Sequence, residues 1–188
     1  IFPEKKSLQE ISQWVHMEIL QKYDFIGVTE RMAESLAVMS FLWDVDPASL
    51  IVLSAKQRGS YDAGGKKNKC TKIVPPPTPL PDHLSEYLES RSYIRGHIDF
   101  LLHRAANASL DRTISSLGAE QVVERAEFIS NMQKLAEDEC LSQAIFPCSS
   151  EGIFQDSRSN CYIQDAGCGH QCVDKVMQPF RRKPQIAR

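Results

Sequence analysis

The sequence predicts an α/β fold: parallel strands with flanking helices and a helix-rich second half. Three observations carry this. Two short apolar runs, Phe25-Ile26-Gly27-Val28 and Leu50-Ile51-Val52-Leu53, alternate with segments of helical period. A cationic, glycine-rich stretch follows the second run. Beyond it, apolar residues keep a 3.6-residue spacing from Leu84 to Ala136. Buried strands alternating with amphipathic helices are the pattern of a parallel sheet.

The elements follow in order. Ser7 with Glu10 forms a capping box, and Leu8, Ile11, Val15 and Ile19 then share one face, predicting a helix over 7–22. Phe25–Val28 reads as the first buried strand. Thr29 is placed to cap the next helix, with Glu30 and Glu34 in the first turn, where the dipole favours acids. Met32, Leu36, Met39 and Trp43 mark that helix's expected buried face. Asp46-Pro47 is a stop-and-restart signal. Leu50–Leu53 reads as the second strand.

The loop over 54–73 is polar and basic. Residues 54–72 hold six Lys or Arg and one Asp, a net +5, which leaves -7 for the rest of a chain of formal charge -2. Gly59, Gly64 and Gly65 let the backbone approach a ligand closely, and the cations neutralise an anion, so the loop suits a phosphate. Its spacing misses the G-x4-G-K-[ST] pattern, since Gly64 is followed by Gly65, Lys66 and Lys67. The Pro-rich spacer 75–81 blocks both helix and interior strand. Helical period then runs from Leu84 to about residue 105. Asn107-Ala108-Ser109 reads as a break and as an N-glycosylation sequon on Asn107. A helix through Leu110, Ile114 and Leu117 is expected to end at Gly118, and another to run from Val122 to near Cys140.

Six cysteines, Cys70, Cys140, Cys148, Cys161, Cys168 and Cys172, lie mostly in the last third. Residues 141–180 form a Cys-rich extension with little apolar material of its own. Disulfides would supply its stability, at ~2–4 kcal/mol each. Zinc is the rival, but only Cys168-x3-Cys172 has suitable spacing, with His170 between. We expect disulfides and no metal. Six cysteines allow fifteen pairings, and the spacing leaves the connectivity open. Together with the sequon, the cysteines point to the lumen of the secretory pathway. The tail 181–188 is basic. A sequence pI near 6.2 argues against a nucleic-acid partner.

Tyr23-Asp24-Phe25-Ile26-Gly27-Val28-Thr29-Glu30-Arg31-Met32-Ala33-Glu34-Ser35-Leu36 resembles the strand-then-helix signature of the Golgi carbohydrate sulfotransferases. Thr29, Glu30, Glu34, Ser35 and Leu36 match the T-E-x-x-x-E-S-L element of the galactose 3-O-sulfotransferases. Gly27 to Glu30 match the G-V-T-E of the heparan sulfate 2-O-sulfotransferases. Ser49 to Ser54 with the basic loop, and the stretch from Tyr93 to Asn107, extend the likeness over roughly residues 10–140.

The resemblance implies the C-terminal part of a P-loop-type sulfotransferase fold over 1–140. It also implies transfer of a sulfuryl group from 3′-phosphoadenosine 5′-phosphosulfate to a hydroxyl of a carbohydrate acceptor on a glycolipid, glycoprotein or glycosaminoglycan. Lys56, Arg58, Gly59, Ser60 and Lys66 would hold that donor, and no metal takes part. The implied location is the Golgi lumen, with the full-length form anchored by an upstream membrane helix. No residue here matches the family's 5′-phosphosulfate loop, its 3′-phosphate Arg and Ser pair, or its catalytic base. The resemblance therefore assigns no catalytic residue, and implies that these residues alone do not catalyse. The other reading is a non-catalytic, disulfide-stabilised secreted helical domain that binds an anionic glycan.

Overall fold

The computed structural model describes residues 8–54, 60–61, 70–72, 77–90, 98–149, 151–155, 161 and 167–181. In order, its longer elements are α1 (Leu8–Trp14), α2 (Met32–Leu42), β1 (Ser60–Tyr61), β2 (Cys70–Thr71), α3 (Asp82–Glu89), α4 (Ile98–Leu117), α5 (Ala119–Cys140) and α6 (His170–Met177). Packing divides the chain into two units. One is 1–43 with 76–126, and the other is 44–75 with 127–188.

In the first unit, α1 continues through a π turn at Val15–Ile19 and a 3-10 turn at Leu20–Lys22, so helical backbone reaches the predicted end. The helix α4 packs against this segment and against α2. Its buried stripe is Ala106, Leu110 and Ile114, spaced by four residues as one helical face requires. Val15, Val28, Ala37, Val38 and Val122 are also buried in this unit. The expected break at 107–109 is absent: α4 runs straight through it. Asn107 does not interrupt the helix: its Nδ2 donates to the His103 carbonyl one turn earlier, at 3.0 Å. Gly118, at φ +96°, does separate α4 from α5.

The predicted buried face of α2 is turned. Met32 and Trp43 are half exposed, and the buried positions are Ser35, Ala37, Val38 and Ser40. Small side chains there permit close packing, and the two serines are hydrogen-bonded. Ser40 Oγ donates to the Ala37 carbonyl at 2.7 Å and accepts from Arg125 at 3.1 Å. The Arg125 guanidinium lies 3.7 Å from the Phe41 ring centroid, a cation–π contact. Thr29 does not act as a side-chain cap. It opens a 3-10 turn, Thr29–Arg31, that leads into α2.

Neither predicted strand is paired among the described residues. Phe25–Val28 and Leu50–Leu53 carry no ladder, and the strands described are β1 and β2 alone. The reason lies in the backbone partners. Val28 is bonded by Ser35, and its carbonyl also accepts from the Arg31 N–H at 3.0 Å. The Val52 carbonyl accepts from Gln133 Nε2 at 2.8 Å. Helix side chains and a turn thus take the bonds a neighbouring strand would have made. Ile51 and Leu53 are buried while Val52 is 54% exposed, an alternation in place of the expected continuous burial.

In the second unit, Asp46 Oδ1 accepts from the Ala48 N–H at 2.9 Å and starts the 3-10 turn Pro47–Ser49, as Asp-Pro predicts. That turn packs against α6. Ile129, Ala136 and Cys140 of α5 are buried, as are Val173 and Met177 of α6. Phe146, Cys161 and Cys168 form a small cluster with Leu141 and Ala144 against it. No described helix is long and apolar enough to cross a membrane.

All six cysteines are paired: Cys70–Cys148, Cys140–Cys172 and Cys161–Cys168, with Cα–Cα distances of 5.5, 5.7 and 4.7 Å. All three bridges belong to the second unit. The connectivity that spacing left open joins the basic loop to the Cys-rich extension.

Candidate functional site

The basic segment is anchored at its base. β1 and β2 pair antiparallel, with Ser60 opposite Thr71 and Tyr61 opposite Cys70. Gly64, Gly65, Lys66, Lys67 and Lys69 lie in the sequence between the two strands. Cys70 is crosslinked to Cys148, which opens a second, tighter hairpin. There, Cys148 bridges to Phe154, the Ser149 N–H donates to the Ile153 carbonyl at 2.9 Å, and the Gln155 N–H donates to the Pro147 carbonyl at 2.9 Å.

The turn of that second hairpin presses on the first. Gly152 has φ +78°, and a Cβ added there would lie 2.6 Å from the Lys72 backbone nitrogen. Only glycine meets both demands. Ser60 occupies the first position of β1. Lys56, Arg58, Gly59 and Lys66, the other expected donor contacts, lie outside the described residues.

The residues that carry the family likeness form a second constellation, in the first unit. Arg31 grips Glu34 through two bonds, Nε to Oε2 at 2.6 Å and Nη2 to Oε1 at 3.0 Å. Its Nη1 reaches Asp111 Oδ1 on α4 at 2.6 Å. Glu30 lies 3.3 Å from His103 Nε2, also on α4. These contacts tie the turn before α2 to the middle of α4.

The charges respond accordingly. Bonding to Glu34 and then to Asp111 holds the Arg31 guanidinium further above its ordinary range. Its bonds to Arg31 hold the Glu34 carboxyl below the usual carboxylate value. The Glu30 carboxyl is lowered first by a backbone hydrogen bond and then by His103. Arg31, His103 and Asp111 were not singled out from the sequence. The α4 part of the signal, a polar face of His103, Asn107 and Asp111, is interrupted when 107–109 is read as a break.

Asn107 sits within this constellation. Besides its bond to the His103 carbonyl, its Oδ1 lies 3.5 Å from Arg31 Nη1. Among the described residues, no group of three or more His, Cys, Asp or Glu side chains is placed to hold a metal. No protein-family model matches the chain, and neither a curated protein nor a solved structure does.

Proposed function

We propose that the chain contributes to a carbohydrate sulfotransferase, binding 3′-phosphoadenosine 5′-phosphosulfate through the basic segment 54–73. The observation that carries the reading is the anchored base of that segment. The pairing of β1 with β2 and the Cys70–Cys148 bridge fix Ser60–Tyr61 and Cys70–Thr71 within a stretch, 54–72, of net charge +5. Cations gathered on one loop, with glycines that admit a phosphate to the backbone, are the chemistry a nucleotide with two anionic ends requires.

In this reading Lys56, Arg58 and Lys66 neutralise donor phosphate, while Gly59 and Ser60 offer backbone and hydroxyl donors. The transfer step breaks the bond from sulfur to the 5′-phosphate oxygen and forms one to a sugar hydroxyl oxygen, releasing 3′-phosphoadenosine 5′-phosphate, while the hydroxyl proton passes to a base that the resemblance does not assign among these residues. The network of Thr29, Glu30, Arg31, Glu34 and Ser35 has the positioning role of fixing the chain before α2. The three bridges suit an oxidising compartment such as the Golgi lumen.

The same bridges favour a second reading, a non-catalytic domain that binds an anionic glycan through the same segment. Competition separates the two. Heparin oligosaccharide bound to the chain should be displaced by 3′-phosphoadenosine 5′-phosphate and not by equal concentrations of adenosine 5′-triphosphate, which carries a similar negative charge. Equal displacement by both nucleotides, at the strength expected from charge alone, would support the glycan-binding domain instead.

A further inference from the structure

The second unit also holds an open groove of about 920 Å³. That is within the ~300–1,000 Å³ of small-molecule sites. One wall is the end of α5 and the turn after it, with Glu139 and Ile145. Another part of the lining is α6, with Gln171, Lys175 and Val176. Cys161 and Cys172 line it too, so two of the three crosslinks hold its walls. Walls fixed before binding reduce the ordering cost of taking a ligand.

The lining has a definite chemistry. The Glu139, Gln171 and Lys175 side chains have no hydrogen-bonding or ionic partner among the described residues. One carboxylate and one ammonium cancel, so a highly charged ligand of either sign gains little net attraction. A carboxylate accepts, an ammonium donates and an amide does both. Hydroxyl groups answer all three. Between these polar groups stand apolar surfaces, with Ile145 64% exposed and Val176 and Pro179 beside it. A molecule with hydroxyl edges and C–H faces matches both kinds of wall.

We infer that this groove binds a neutral saccharide. The inference goes beyond the proposed donor binding and uses no residue of the basic segment, so each can fail without the other. The test is saturation-transfer NMR on the whole chain, with lactose, cellobiose and maltotriose as separate probes. Gln171→Ala/Lys175→Ala alters two exposed side chains on the groove-lining face of α6, and its thermal midpoint should match that of the unaltered chain. At least one sugar should give transfer from the unaltered chain, with an apparent Kd at least tenfold weaker in the double variant. Glu139→Gln, which keeps the shape and removes the charge, should weaken binding less than the double variant. Absence of transfer from all three sugars, or an unchanged Kd in the double variant, would overturn the inference.

Discussion

The Ser35 hydroxyl closes on both backbone polar groups of Val28. It accepts from the Val28 N–H at 2.9 Å and donates to the Val28 carbonyl at 3.2 Å. Both residues are buried. This one side chain makes the first apolar run independent of a neighbouring strand. Gly27 eases the approach, since a Cβ there would lie 3.2 Å from the Ser35 Cβ, a tight contact.

Ser35→Ala therefore leaves the Val28 N–H buried without a partner. The Val28 carbonyl keeps the Arg31 N–H. The expected loss is about 1–3 kcal/mol of unfolding free energy, read from urea denaturation. Ser40→Ala should cost less, because the Ala37 carbonyl it leaves sits within a helix.

The Arg31–Glu34 pair gives a pH dependence. Bonding lowers the Glu34 pKa from its ordinary 4.5 in the folded state. An unfolded carboxyl then binds protons first as pH falls. The pair's stabilisation is complete above about pH 4.5 and is lost as pH drops through the lower folded value. Both side chains are partly exposed, at 25% and 34%, so the effect is about 1 kcal/mol or less. Arg31→Met should lower the urea midpoint at pH 7 and have a smaller effect at pH 3. An equal shift at both values would show that the pair does not titrate with folding.

The three bridges close loops of very different length. Their sequence separations are 78, 32 and 7 for Cys70–Cys148, Cys140–Cys172 and Cys161–Cys168. Loop-closure entropy ranks their contributions at about 4–5, 3–4 and 2–3 kcal/mol respectively. Paired Cys→Ser variants, followed by thermal unfolding, should fall in that order. Non-reducing peptide mapping checks the connectivity directly.

Gly152→Ala tests the contact between the two hairpins. The substitution adds strain at a positive φ and drives a Cβ into the Lys72 backbone. A loss of about 2 kcal/mol or more is expected, together with faster amide exchange at Lys72. Gly167→Ala is the control: its φ is also positive, but nothing lies within 4 Å of the added carbon.

Much of the helical order was legible because it is local. The capping chemistry of Asp46-Pro47, the apolar spacing of 122 to 136 and the helical run from Leu8 to Lys22 all depend on residues a few positions apart. What stayed hidden depends on distant partners. Phe25–Val28 and Leu50–Leu53 look like strands because apolar runs suit extended backbone, and Val28 is extended while Leu50 is not. Whether such a run joins a sheet depends on who bonds its backbone, and here Ser35 and Gln133 do. Asn107 looked like a helix break because its amide competes with helical bonding in isolation. In the fold that amide is engaged by His103 and Arg31. The disulfide pairing joins positions 78 residues apart, which no local spacing encodes. At the candidate site, the clustering of cations was visible in composition, and its anchoring between β1, β2 and Cys148 was not.

The most direct measurement is isothermal calorimetry of the chain with 3′-phosphoadenosine 5′-phosphate, repeated on Lys56→Ala/Arg58→Ala. Charge-assisted bonds contribute ~1.5–3 kcal/mol each. The account predicts measurable binding that weakens at least tenfold in the double variant and falls as salt is raised. Unchanged affinity in the double variant would contradict it.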